Sequence, residues 1–429
     1  MSDWHPILSA GSETAERAWD SVEAITADLL DQNPAAPAVQ QCRPADIALL
    51  STYLALNGRV EAETAVNHLN RALDDAGRTN GFLGLYGGLS GVAWAVEHCC
   101  RTLAEGVPDG GAAGTEADDA NADIDAWILR CLRRPDWSGP FDLIRGLVGV
   151  GTYFLDRLPH PSAVEAIQHI LGHLERSAER DGGGVTWHSA PSQLAEWQRE
   201  RSPHGYYDLG VAHGVPGVIH FLGEALATDL ESDRVRPLLE GAMAWLVSQQ
   251  RPPESLSRFS SWVAPGAVSS DSRLGWCYGD LGVAAVALQV ARRAGREDWR
   301  AFGLDLVDHC LSWPAESSGV RDAGLCHGAA GVAHVFNRIY QSEGHAGCLE
   351  AACEWIGRAV EMRRPGGSTG GYYAHRRPHP AGPPVWDESA AFLDGAAGIA
   401  LALVAALTSV APGWDRLLML SGVEARMPQ

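Results

Sequence analysis

Apolar and polar positions recur with a helical period along most of this chain. Over residues 46–57 and 60–73, apolar side chains return three and four places apart with polar ones between, which predicts two amphipathic helices inside a stretch from Ser2 to about Ala76 that reads as helical throughout. Val164, Ile167, Ile170, Leu171 and Leu174 line one face of another helix. Its start is marked by Pro161-Ser-Ala-Val-Glu165, with Ser162 and Glu165 spaced as a capping box. Residues 235–250 predict a further helix. A second kind of segment alternates with these. Six apolar runs, each about three turns long and without β-branched alternation, open with Gly-x-x-Gly at Gly88, Gly146, Gly214, Gly279, Gly328 and Gly395. Successive copies lie 58, 68, 65, 49 and 67 residues apart, room in each case for two helices and their loops.

Self-similarity at this spacing is the mark of stacked helix pairs. Glycines at the head of each run suit a loop-to-helix turn where backbones approach closely. Six pairs closing on themselves give an all-α protein, an α/α toroid with six apolar helices inside and six amphipathic ones outside, as one domain over residues 1–429. An open solenoid is the alternative; it would call for polar capping repeats, which the sequence lacks. Residues 105–125, rich in Gly, Ala and Asp, read as a solvated loop or insertion, and 181–207, with three consecutive glycines, as a long surface loop.

In a toroid the residues just before each first glycine fall at equivalent places on one end of the inner ring. One place back stand Gly87, Arg145, His213, Tyr278, His327 and Asp394; two places back stand Tyr86, Ile144, Ala212, Cys277, Cys326 and Leu393. A purely structural repeat tends to reuse one small residue, whereas here ligand-type side chains crowd into the third, fourth and fifth copies. Cys277, Cys326 and His327 make the three-ligand set of a catalytic zinc site with an open fourth position. Neighbours on a regular helix diverge by about 100°, so Cys326 and His327 can share an ion only from a turn entering a helix. Buried cysteines and a core histidine are the structural reading of the same residues. His98, His220 and His334 lie inside apolar runs and read as core or helix-face residues, and the cysteines outside the phrases read as structural.

Composition narrows the chemistry. The chain has 429 residues, 46% of them hydrophobic, and a net charge of −20 with no basic cluster, which argues against nucleic acid or anionic membrane as a partner. All 33 basic residues are arginine. Without lysine there is no Walker-type phosphate loop and no Schiff-base or pyridoxal lysine. Nine scattered cysteines, an odd number, point to a reduced setting, and the start lacks a signal-peptide pattern, so a cytoplasmic protein is expected. The most apolar stretch, 390–407, is broken by Asp394 and two glycines and predicts no membrane span.

The repeated phrases resemble the lanthionine synthetase C-like family, the zinc cyclases of lantibiotic biosynthesis. The matching segments are Asp142-Leu-Ile-Arg-Gly, Tyr207-Asp-Leu-Gly-Val-Ala-His-Gly, Trp276-Cys-Tyr-Gly, Leu325-Cys-His-Gly and Leu393-Asp-Gly-Ala-Ala-Gly-Ile-Ala. The resemblance implies an α/α toroid with one zinc ion per chain on Cys277, Cys326 and His327. It places the family's other active-site positions on His213, Asp142, Arg273 and Tyr278. It implies a dehydrated precursor peptide as substrate and makes a dehydratase a candidate partner.

The implied reaction is Michael-type addition of a peptide cysteine to dehydroalanine or dehydrobutyrine, closing a (methyl)lanthionine ring. His213, with an intrinsic pKa near operating pH, is then the natural acid for the enolate. Asp142 would orient it, and Arg273 would steady Asp142 or the enolate oxygen. The structural readings are a helix cap for Asp142, a surface charge for Arg273 and packing for Tyr278. Two other functions stay open: a non-enzymatic zinc toroid that binds glutathione or a peptide thiol, and a glycosidase using Asp142 and Asp394, which would leave the cysteines unexplained.

Overall fold

The computed structural model describes residues 4–31, 43–106, 119–268, 270–364, 366–377 and 382–422. Among these, fourteen helices of 11 or more residues follow in order. They are α1 (Glu13–Thr26), α2 (Pro44–Leu56), α3 (Ala62–Ala76), α4 (Leu89–Gly106), α5 (Ala122–Leu132), α6 (Leu147–Arg157) and α7 (Pro161–Ser177). The second half holds α8 (Val215–Ala227), α9 (Ser232–Ser248), α10 (Asp280–Ala294), α11 (Glu297–Leu311), α12 (Ala329–Glu343), α13 (Ala346–Glu361) and α14 (Ala396–Leu407).

Burial sorts them into two rings. Every residue of α8 from Val215 to Leu226 and of α14 from Ala396 to Ala406 is buried, whereas α3 buries only Ala65, Leu69 and Ala72. A helix apolar all round must be surrounded, and one with a single apolar stripe needs one neighbour. The even-numbered helices accordingly form a closed inner ring, α2 against α4, α6, α8, α10, α12, α14 and back to α2. Each packs on the outer helix that follows it, and α14 takes α1 as its partner. The amino terminus fastens this last pair: Trp4 Nε1 donates to Ala405 O at 2.8 Å and Ile7 N to Ala406 O at 3.0 Å.

The fold is the expected toroid, with seven pairs where the glycine phrases indicated six. All six phrases open inner helices, and α2 is the seventh. It enters with Pro44 in its first turn, not through a glycine loop, and Asp46 to Leu54 are all buried. The phrase itself has a steric cause. A Cβ on the second glycine, at Gly91, Gly149, Gly217, Gly282, Gly331 or Gly398, would lie 1.8–2.6 Å from the carbonyl oxygen six residues earlier. Such a contact is impossible, so only glycine lets the loop fold down onto the first helical turn. There its carbonyls cap the helix: Pro140 O accepts from Leu147 N, and Asp322 O from Ala329 N.

Local expectations fared unevenly. The stretch up to residue 76 is helical in α1, α2 and α3 with breaks between them. At α7 the cap is His160, whose ring accepts from Ser162 N, while the Ser162 hydroxyl turns away to Asp125 at 2.6 Å and Glu165 pairs with Arg133. Proline already set the first turn, so the capping box was not needed. The expected loop at 181–207 holds the hairpin β1 (Glu179–Asp181) and β2 (Gly184–Thr186), then a short helix, Glu196–Arg201. It ends in β3 (Tyr207–Asp208), paired with β4 (Trp262–Val263). Of the expected loop at 105–125, α4 takes the start and α5 the last residues, and 107–118 lie outside the described residues. Among the described residues no helix is long and apolar enough to cross a membrane.

Candidate metal centre

The turns that lead into the inner helices sit side by side and bond to one another. Tyr86 N donates to Ile144 O (3.1 Å), Ala212 N to Cys277 O (3.4 Å), Cys277 N to Cys326 O (3.2 Å) and Cys326 N to Leu393 O (2.7 Å). Each of these residues stands two places before its first glycine. Equivalent positions, far apart in the chain, thus form a belt at one end of the ring, and residues 277 and 326 become neighbours.

On this belt the Cys277 and Cys326 sulfurs and a His327 ring nitrogen all lie within 4.8 Å of one another. Cys277 Sγ is 3.9 Å from His327 Nδ1. Zinc bonds of about 2.3 Å to sulfur and 2.0–2.1 Å to nitrogen at tetrahedral angles put such a pair roughly 3.6 Å apart, so the donor set fits zinc in type and spacing. All three donors precede their helices, which begin at Asp280 and Ala329, so the expected turn geometry is met. The thiols act as a pair: the hydrogen bond between them holds Cys277 well below the ordinary thiol range and pushes Cys326 up. Asp119, Asp125 and His160 also cluster, but Arg157 already binds both carboxylates.

His213 and Asp142 form a second unit. His213 Nδ1–H donates to Asp142 Oδ2 at 2.6 Å, while Asp142 Oδ1 accepts from Arg145 N at 2.7 Å. The carboxylate is held at both oxygens, by the turn before α6 and by the imidazole; α6 starts from Gly146 without a side-chain cap, so Asp142 is not its helix cap. Burial pulls the His213 pKa down, but the Asp142 hydrogen bond and the charges of Asp142 and Asp208 outweigh it, and the net direction is upward. The imidazole keeps 35% of its surface open to solvent.

Tyr278 stacks beside it, ring centroids 6.3 Å apart, and donates its hydroxyl to Asp208 Oδ2 at 3.0 Å. Asp208 is a site residue that sequence reasoning missed. It is fully buried, its other oxygen accepts from Gly210 N at 2.8 Å, and burial pushes its pKa up to about 7. Arg273 does not meet Asp142, whose partners are Arg145 N–H and His213. It is exposed, makes no side-chain hydrogen bond or ion pair among the described residues, and bears by its charge on Cys277, Cys326 and His327.

The histidines expected in the core are there. His98, His220 and His334 are buried, and burial pushes the first two down to about 3 and about 4. The eight cysteines among the described residues are free thiols; Cys42 lies outside them.

Among solved structures, nisin cyclase matches with a TM-score of 0.67 at 15% identity, over 95% of this chain and 96% of that one. A selenomethionine derivative of a GH76 α-mannanase from Bacteroides thetaiotaomicron reaches 0.45 at 10% identity over 93% and 96%, and at that score the likeness says nothing about chemistry. The family model described as lanthionine synthetase C-like protein matches residues 47–419, from inside the phrase-free helix α2 to the segment beyond α14. By a match that takes in all the repeats and the belt of turns they carry, this chain belongs to the lanthionine synthetase C-like family.

Proposed function

We propose that this protein is a zinc-dependent lanthipeptide cyclase, closing thioether rings in a dehydrated peptide as a single catalytic unit. The observation that carries the reading is the convergence, on one end of the toroid, of three zinc-type donors and a carboxylate-bound histidine. In the reaction a peptide cysteine sulfur bonds to the β-carbon of dehydroalanine or dehydrobutyrine. The Cα=Cβ π bond breaks, its electron pair passes to the α-carbon and carbonyl oxygen, and a proton then adds at the α-carbon. Zinc held by Cys277, Cys326 and His327 would favour the thiolate of that cysteine, since a free thiol of pKa about 8.5 is mostly protonated at neutral pH.

The remaining work falls to the chain's own side chains. His213 gives up its proton to the α-carbon and recovers one from solvent or from the next substrate thiol. With Nδ1 bound to Asp142, Nε2 is the nitrogen left to deliver it. Asp142 fixes the ring and favours its charged form. Tyr278 stands beside the imidazole with its hydroxyl held by Asp208, and narrows the space in which the enolate forms. Arg273 places a positive charge near the thiols, which favours an anion there. The substrate's dehydro residues require a dehydratase to have acted first. The free thiols suit a reducing cytoplasm.

The test is direct. Purified protein loaded with zinc is given a peptide holding cysteine and dehydroalanine, free thiols are then alkylated, and the products are weighed by mass spectrometry. Loss of the alkylatable thiol at a rate well above the protein-free control supports a cyclase. Tight thiol binding with no ring formation would replace this reading with that of a thiol-binding toroid.

A further inference from the structure

Beyond α14 the described residues 413–422 turn back into the centre of the inner ring. Trp414 and Asp415 are buried in the short 3-10 turn Gly413–Leu418, and Met419, with φ 56°, reverses the chain. Leu417, Leu418, Met419 and Leu420 are buried as well. The result is a loop inserted along the axis, its apex at Leu417 and Leu418.

Three of the inner helices present polar side chains to this loop. Arg338 and His334 of α12 meet the Asp415 carboxylate at 2.6 Å and 2.9 Å. Asp156 of α6 takes Arg416 at 2.9 Å, and Gln289 of α10 donates to Leu420 O. Buried charge is costly unless paired, so these pairs specify one position for the loop within the ring.

At the apex the contacts change character and reach the belt of turns. Trp276, the residue before Cys277, donates Nε1–H to Leu418 O at 2.6 Å. Tyr86, on the same belt, donates its hydroxyl to Leu417 O at 2.6 Å. The loop is therefore tied to α10 and Trp276, which follow and precede Cys277. It is also tied to α12, which begins two residues after His327. One segment spans both ligand-bearing repeats from beneath.

We propose that this carboxy-terminal loop is a positioning element for the metal ligands, fixing the Cys277 turn against the Cys326–His327 turn so that their donors sit at binding distance. The inference rests on the metal reading given above and assigns the loop no contact with the ion. Backbone bonds along the belt set the turns side by side, and the apex fixes how far each one dips toward the axis.

The experiment uses Trp276→Phe, Tyr86→Phe and the double variant, each removing one donor to the apex while keeping an aromatic ring. Metal-free full-length protein is titrated with cobalt(II), and zinc affinity is read by competition with a chromophoric chelator. Supporting partners of ligands typically account for about 10- to 100-fold in metal affinity. The double variant should bind zinc about 10-fold more weakly and show altered cobalt thiolate and d–d bands, with smaller changes in the singles. Ile128→Val in the outer helix α5 is the comparison: it lowers thermal stability and should leave the cobalt spectrum untouched. Parent-like affinity and spectrum in the folded variants would overturn the proposal and leave the metal site standing. A parent protein that takes up neither cobalt nor zinc would remove both. Should the double variant not fold, the singles are read in the same way.

Discussion

Replacing Asp208 by asparagine should make the protein more stable, and by an amount that grows with pH. The carboxyl is fully buried, and burial is the largest influence on it, raising its pKa from 3.8 to about 7 against the pull of His213, Gly210 N–H and the Tyr278 hydroxyl. In the unfolded chain it ionises near its ordinary value. Between roughly pH 4 and 7 the folded chain holds a proton that the unfolded chain has released, so stability falls as pH rises across that window and levels off above it. At 1.36 kcal/mol per pH unit the full cost is ~4 kcal/mol, about half of it developing between pH 5.5 and 8. Asparagine has the shape of the protonated acid: its oxygen can accept from Gly210 N, and its amide can meet the Tyr278 oxygen. Urea unfolding of variant and parent, followed by far-ultraviolet circular dichroism at pH 5.5 and pH 8, gives the difference at each pH. Taking that difference cancels the titration of the shared groups that do not feel the Asp208 charge. The gap should widen in the variant's favour by roughly 2 kcal/mol at the higher pH. A gap that stays constant, or narrows, would show that Asp208 ionises at its ordinary pKa despite its burial.

Elemental analysis should find about one zinc per chain, most of it lost in Cys277→Ala or Cys326→Ala while the circular dichroism stays helical. Stoichiometric zinc in both variants would sink the ligand assignment. His213→Asn should keep its zinc and cyclise about 10²–10⁴-fold more slowly; parent rates in the loaded variant would place the acid elsewhere. Asp142→Asn bears on pH. Because Asp142 helps raise the His213 pKa, activity should decline as pH rises through the raised value. Removing the carboxylate leaves burial to pull that pKa down, so the alkaline limb should move to lower pH. An unmoved limb would mean that the imidazole is tuned by something other than Asp142.

The ring was legible because its cause is steric and local. A carbonyl oxygen packed onto the first helical turn forbids a side chain there, and the prohibition is written as glycine six times over. The seventh pair leaves no such mark. Helix α2 starts from Pro44, and its sign is burial on every side, which in sequence looks like any apolar helix. The pairing of α1 with α14 depends on Trp4 reaching Ala405, a contact between the two ends of the chain that no local pattern announces. The same holds for the loop at 413–422, whose polar receptors lie on several helices, one or two residues apiece.

The site divides along similar lines. Cys277, Cys326 and His327 stood out because ligand-type side chains crowd into neighbouring copies of one repeated phrase. Asp208 did not, because its place in the repeat has an ordinary structural use. Six residues before the first glycine stand Asp208, Arg273, Asp322 and Ser389 in the last four copies. Asp208 and Asp322 do the same local work, each accepting the N–H two residues on, at 2.8 Å from Gly210 and 3.0 Å from Gly324. An aspartate doing this reads as a turn residue and nothing more. What separates the two is the second oxygen. In Asp322 it accepts a backbone N–H from His375, in the strand Ala374–Arg376 that pairs with Val385–Asp387, which is ordinary scaffolding. In Asp208 it takes the hydroxyl of Tyr278, and through that ring it adjoins His213. Identical local chemistry was thus given a different neighbour by the ring, and the neighbour is a tertiary fact. Arg273 illustrates the converse: at the same place in the copy that carries Cys277 it holds no turn, and its charge is left to act on the thiols.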